Sequence, residues 1–279
     1  FYSFAKFKEM FSFSAWSVVE AISIWLTGYM DVFLIGKYLN EYYLGVYKTS
    51  MTLVGQIMGL LTAATTPILF SSLSRLQSDD ETFNDLFYKF QKLVGLLVIP
   101  LGFGIFCYSD FITEILLGEQ WSQASRFIGL WALTSSLTIV LSHYSSEVYR
   151  SKGRPRLSVL AQVLHLIVLL PAVIIAVKYG FDALYITRSL VRFEGIMVDM
   201  IIMYFVIHIS PWKMLKNIFP ALASSVLMAV VAILIKDISP SIIWKITSIL
   251  ICIAVYFFLQ MAIPSSRMTL LSLKNRKIS

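Results

Sequence analysis

Arg188 and Arg192 stand four residues apart, with Asp199 seven further on, inside a stretch that is otherwise mostly apolar. At about 100° per residue the three project from one side of a helix, with Gly195 between them and Glu194 turned elsewhere. Paired guanidinium groups match phosphate oxygens through parallel hydrogen bonds, so this spacing suits an anionic solute. A second polar row, Ser17, Glu20, Thr27 and Asp31, recurs at intervals of three, seven and four near the start of the chain. Its carboxylates, with Asp199, would balance the arginine charge or couple to ions. His143 and His165 are also set among apolar residues. Either could relay protons, although an isolated histidine in such a setting more often makes a helix contact. No metal-ligand spacing, phosphate loop or nucleophile elbow is present, so neither a cofactor nor a catalytic residue is assigned.

These groups must be positioned by transmembrane helices. Hydrophobic residues make up 58% of the 279, charged residues only 14%, and the mean hydropathy is +0.77. That leaves too little polar surface to cover a water-soluble globule. A bilayer core needs roughly 20 apolar residues per helix. Eight such spans are read: Ser12 to Leu34, Ser50 to Leu73, Leu93 to Tyr108, Phe127 to Val148, Leu157 to Val177, Ala183 to His208, Ile218 to Ile235, and Ile242 to Ile263. They are too continuously apolar for the alternating strands of an outer-membrane barrel, so the fold class is an all-α polytopic bundle. The first span runs outward and the sixth inward. A rise of about 1.5 Å per residue therefore sets Asp31 level with Arg188, and Glu20 deeper, nearer Arg192 and Asp199.

Basic residues give the orientation. Loops on one side hold 15 of the 23 Lys and Arg, including Arg75, Arg150, Lys152, Arg154 and Arg156; loops on the other hold six, among them Lys37 and Lys178. Both ends of the chain are expected to be cytoplasmic. The net charge of +7 is scattered through loops, which argues against a nucleic-acid partner. The longest loop is expected from about Ser74 to Lys92, a solvated hairpin carrying Asp79, Asp80, Glu81 and Asp85. Phe111 to Gln123 suits a short interfacial helix anchored by Trp121. Pro67, Pro100 and Pro171 fall inside spans, where each is a candidate hinge, and Gly55 with Gly59 predicts a close helix contact. Cys107 and Cys252 read as small packing residues. The chain starts at Phe1 without an initiator Met or a signal peptide, which reads as a fragment lacking an N-terminal part.

Several local segments resemble one family. A first span ending in Asp31-Val-Phe-Leu-Ile-Gly36 is followed by Leu44-Gly45-Val46-Tyr47, and Ser72-Leu-Ser-Arg75 closes the second span. Further on come Leu117-Gly118-Glu119-Gln-Trp121-Ser-Gln-Ala124 and the basic turn Lys152-Gly153-Arg154-Pro155. Their order resembles the C-terminal half of a Wzx-type bacterial polysaccharide flippase, within the superfamily that includes multidrug extruders and the lipid II flippase. The resemblance implies two six-helix lobes around a cationic cavity with alternating access. Residues 1–210 would be the second lobe and 211–279 two additional helices with a basic cytoplasmic tail, the first lobe being absent from the chain. It also implies a cytoplasmic-membrane location, transport of an undecaprenyl-pyrophosphate-linked oligosaccharide, and H+ or Na+ as coupling ion. Polysaccharide polymerase machinery would be a partner. Arg188 and Arg192 as substrate contacts, with Glu20, Asp31 and Asp199 as balancing or coupling groups, come from helix geometry rather than from the resemblance. Two alternatives stay open. A multidrug or cation antiporter would prefer a carboxylate-rich cavity, and a membrane-embedded glycan polymerase, ligase or acyltransferase would modify its substrate covalently.

Overall fold

The computed structural model describes residues 4–264 and 266–268, with side chains at 18, 19 and 21–264 and at 266–268. The described residues are helical nearly throughout. In order the helices are α1 (Phe4–Tyr38), α2 (Glu41–Ser74), α3 (Asp80–Cys107), α4 (Ser109–Leu117), α5 (Ala124–Thr138), α6 (Ser145–Ser151), α7 (Arg156–Ala176), α8 (Phe181–Leu190), α9 (Arg192–Ile202), α10 (Pro211–Ile235) and α11 (Ile242–Ala262). Short π-helical turns at Ile139–His143 and Met203–Ile207 follow α5 and α9. Among the described residues six segments are long and apolar enough to cross a membrane: Glu41–Ser74, Asp80–Cys107, Ala124–Ser151, Arg156–Tyr179, Pro211–Ile235 and Ile242–Ala262. The protein is a multi-pass, all-α membrane protein.

Local chemistry sets the helix ends. Asn40 caps α2 by accepting the Tyr43 N–H at 3.0 Å, and Asp79 caps α3 through the Thr82 N–H at 3.1 Å. Gly153 and Gly180 take positive φ values of 67° and 97° where the chain turns into α7 and α8. Capping by Asp79 reshapes one expectation. The hairpin foreseen from about Ser74 to Lys92 is mostly the first turns of α3, because Asp80 and Glu81 suit a helix N-terminus. Phe111 and its neighbours do form a short helix, α4, ending at Gly118. The expected sixth span has a local irregularity at Val191, where α8 passes into α9 with the backbone still in the right-handed helical region (φ −59°, ψ −20°); Arg188 lies in the last turn of α8 and Arg192 opens α9.

Helix α2 continues through Pro67, α3 through Pro100, α7 through Pro171 and α10 through Pro220. Pro100 cannot donate to the Leu96 carbonyl, and the buried Tyr256 hydroxyl does so instead at 2.8 Å. The close contact expected at Gly55 and Gly59 is not made within the described chain, since a Cβ at either would meet nothing within 4 Å. Gly102 and Gly129 make such contacts instead. A Cβ on Gly102 would run into Ser136 and sit 2.9 Å from the Ala132 carbonyl, and one on Gly129 would sit 3.0 Å from Ser109 Oγ.

Two compact units emerge. The first comprises Phe1–Thr49, Thr62–Phe83 and Leu141–Pro211, and the second Ser50–Leu61, Asn84–Val140 and Trp212–Ser279. In the second, Cys107, Tyr108, Met228, Ala232, Cys252 and Tyr256 form an apolar cluster. Tyr108 donates to Ser248 Oγ at 2.9 Å there. Both cysteines are buried and free.

Candidate functional site

The polar interior of the first unit is built around Asp31. Serial hydrogen bonds from Ser23 to Val19 O and from Thr27 to Ser23 O keep the α1 hydroxyls satisfied on one side of the helix. One turn on, Asp31 accepts from Arg188 Nε at 2.8 Å, with side-chain exposures of only 3% and 5%. The Tyr47 hydroxyl of α2 donates to the same carboxylate oxygen, and the Val32 N–H reaches the other at 3.0 Å. Arg188 also donates to the Thr27 carbonyl at 2.9 Å, and Gln162 of α7 donates to Thr27 Oγ1. Four helices, α1, α2, α7 and α8, thus contribute to a single polar knot. A buried pair is tolerable only when its remaining donors and acceptors are used in this way.

Asp199 belongs to a different cluster. Its carboxylate accepts from Ser142 in the first π-helical turn and from the Tyr149 hydroxyl of α6 at 3.1 Å. Ser145 donates to the Ser142 carbonyl at 2.5 Å. Hydroxyl groups, not an arginine, are the hydrogen-bond partners of this carboxylate. Glu194 reaches α7, where its Oε2 lies 2.8 Å from His165 Nδ1. Arg192 is half-buried at the first turn of α9.

Of the groups singled out by spacing, Asp31 and Arg188 are joined, and the depth reckoning had set them level. Asp199 is not joined to them: its carboxylate is taken up by Ser142 and Tyr149, which the spacing within one helix could not foresee. The side chain of Glu20 lies outside the described residues. Sequence reasoning missed Tyr47, Tyr149, Ser142 and Gln162. For Gln162 a signal existed: with His165 it forms a polar pair one turn apart in the apolar α7. No group of three or more His, Cys, Asp or Glu among the described residues has the arrangement of a metal site. A pocket of about 330 Å³ in the second unit, lined by residues such as Leu97, Tyr108, Met228 and Phe257, is apolar and contains none of these charged groups.

The fold has a solved counterpart. Lipid II flippase MurJ, in an inward closed conformation, superposes with a TM-score of 0.75 over 94% of this chain and 56% of its own, at 16% identity. A family model described as "Polysaccharide biosynthesis protein" matches residues 1–126. The chain is 26% identical to the probable low-salt glycan biosynthesis flippase Agl15 of Haloferax volcanii, across 67% of this chain and 40% of that protein.

The chain resembles the flippases of polysaccharide biosynthesis.

Teichuronic acid biosynthesis protein TuaB of Bacillus subtilis is 24% identical, covering 54% of this chain and 31% of TuaB. Lipopolysaccharide biosynthesis protein WzxC of Escherichia coli is 22% identical, covering 74% of this chain and 41% of WzxC. The matched region thus spans less than half the length of these three relatives.

Proposed function

We propose that this chain is part of a flippase that carries a polyprenyl-pyrophosphate-linked oligosaccharide across the cytoplasmic membrane during surface polysaccharide biosynthesis. The observation that carries this reading is the likeness of nearly the whole chain to a solved lipid flippase, together with relatives named for polysaccharide biosynthesis. In this proposal residues 1–210 form a six-helix lobe, 211–279 add two helices, and both ends face the cytoplasm. Alternating access moves the substrate without making or breaking a covalent bond, so the chain is not an enzyme.

Arg188 and Arg192 supply the positive field that attracts pyrophosphate or acidic sugars. Arg188 acts mainly through position, since Asp31 and Thr27 already hold its guanidinium. Arg192 makes the closer approach to the anion. Glu20, Asp31 and Asp199 balance the cationic charge, H+ or Na+ is the coupling ion, and polysaccharide polymerase machinery takes up the exported product. A carboxylate-rich antiporter reading finds less support, because the interior carboxylates Asp31, Asp199 and Glu194 are each already hydrogen-bonded and share that interior with Arg188 and Arg192.

The test is complementation of a bacterium deleted for its polysaccharide flippase. Arg192→Gln should reduce surface polymer at least about tenfold at normal protein level, whereas Arg192→Lys, which keeps the charge, should restore part of it. Full polymer with Arg192→Gln overturns the assignment. Resistance to cationic drugs in place of polymer export would favour the antiporter.

A further inference from the structure

The pair His165 and Glu194 has no part in holding Asp31 or Asp199. It joins α7 to α9, with Nδ1 2.8 Å from Oε2 and side-chain exposures of 14% and 26%. The ring sits over Gly195, where an added Cβ would lie 3.1 Å from Nδ1 and 3.5 Å from Cε1. A larger residue at 195 would therefore shift the imidazole by a few tenths of an ångström and disturb its bond to the carboxylate. With Nδ1 directed to Glu194, the other ring nitrogen, Nε2, makes no hydrogen bond to any described residue. A neutral imidazole in this tautomer presents an open acceptor for one proton.

We infer that His165 and Glu194 form a binding site for a single proton, whose occupancy sets how firmly α7 is held to α9. The empty site is a neutral imidazole beside a carboxylate and carries one negative charge. The filled site is an imidazolium beside a carboxylate and carries none. Charged groups acting on it come from two helices: Glu194 and Arg192 on α9, and on α8 Arg188, whose own carboxylate partner is Asp31 of α1. On α6, Tyr149 is engaged with Asp199 and Glu147 with Arg150. Because α9 begins at Arg192, only two residues before Glu194, a change in the α7 to α9 bond is transmitted to that arginine. The site thereby deepens the proposed flippase reading, naming a proton as the coupling ion and locating where it binds.

The experiment uses protein in lipid nanodiscs with ¹⁵N-labelled histidine, of which the chain has three. Imidazole nitrogen resonances are followed from about pH 5 to 8, the range in which histidine ordinarily titrates. His165 is assigned from His165→Gln. One protonation step is expected at His165, with proton affinity reduced at least about tenfold in Glu194→Gln and similarly in Gly195→Ala. His143 and His208 serve as internal controls for folding. A single unchanging His165 state across the range overturns the proposal, as does an identical midpoint in Glu194→Gln. Glu194→Gln, which leaves the packing at Gly195 unchanged, keeps the test decisive should the alanine protein fail to fold. The measurement requires no transport. A titrating pair in a protein that moves no lipid-linked glycan would leave the proton site standing and remove the flippase reading.

Discussion

Arg188 and Asp31 each have their charge removed from solvent, and each is tolerable only while the other is present. Arg188→Gln should lower stability by about 3–5 kcal/mol, the usual cost of stranding one partner of a buried pair. Asp31→Asn should cost a similar amount. The double variant should lose less than the two single losses combined, as measured by thermal unfolding in detergent; simple additivity would show that the bond contributes no coupling. This pair was legible in the sequence because helix rise alone brings the two residues to one level. The contact between His165 and Glu194 was not. Face arithmetic placed Glu194 away from the arginine row, which is consistent with the structure, but it does not say which helix packs on that other face. Tyr47 and Tyr149 were hidden for a related reason: neither spacing nor neighbouring residues single out a tyrosine until its hydroxyl partner is known.

Helices here depend on small compensations, and these allow sharper tests than helix propensity would. Tyr256→Phe leaves the Leu96 carbonyl without a donor and should cost about 1–3 kcal/mol. In a Pro100→Ala background the helix can supply its own N–H to that carbonyl, so the same tyrosine change should cost much less. Equal losses in both backgrounds would show that the hydroxyl does not stand in for the missing donor. Gly102→Ala should destabilise by about 1–3 kcal/mol because the Ala132 backbone cannot withdraw, whereas Gly55→Ala and Gly59→Ala should be nearly neutral for the packing of this chain. Spacing alone favoured the latter pair, since a GxxxG pattern marks small residues without saying what approaches them. At the start of α3, hydrogen bonds from the Thr82 hydroxyl and N–H hold the exposed Asp79 carboxyl below its ordinary range. A depressed carboxyl pKa means that the cap is complete above the ordinary aspartate value of about 3.9 and is lost as pH falls through the lower folded value. The Thr82 amide resonance should report fraying over that acidic range and stay constant above it. The acidic run around it was read as a loop because charge and helix-start signals coincide.

The whole molecule was legible as class and likeness: an all-α bundle with the order of segments of a polysaccharide flippase. Span boundaries were less so, because α2 and α3 extend beyond their apolar cores on polar, well-capped turns. Orientation rests on the uneven distribution of Lys and Arg. In a protein with Cys107 and Cys252 replaced by Ala, a cysteine at Lys37 should be labelled from outside the cell, and one at Arg154 only after permeabilisation. The reverse pattern would invert the proposed direction of both ends. The most direct test is movement of a pyrophosphate-linked oligosaccharide across proteoliposomes that hold the whole flippase of which this chain is part, scored by the binding of external lectin to substrate supplied in the inner leaflet. Wild-type protein should flip it, and Arg192→Gln should slow the rate at least about tenfold at an equal amount of folded protein. Equal rates for the two proteins, or no flipping above protein-free liposomes, would contradict the account.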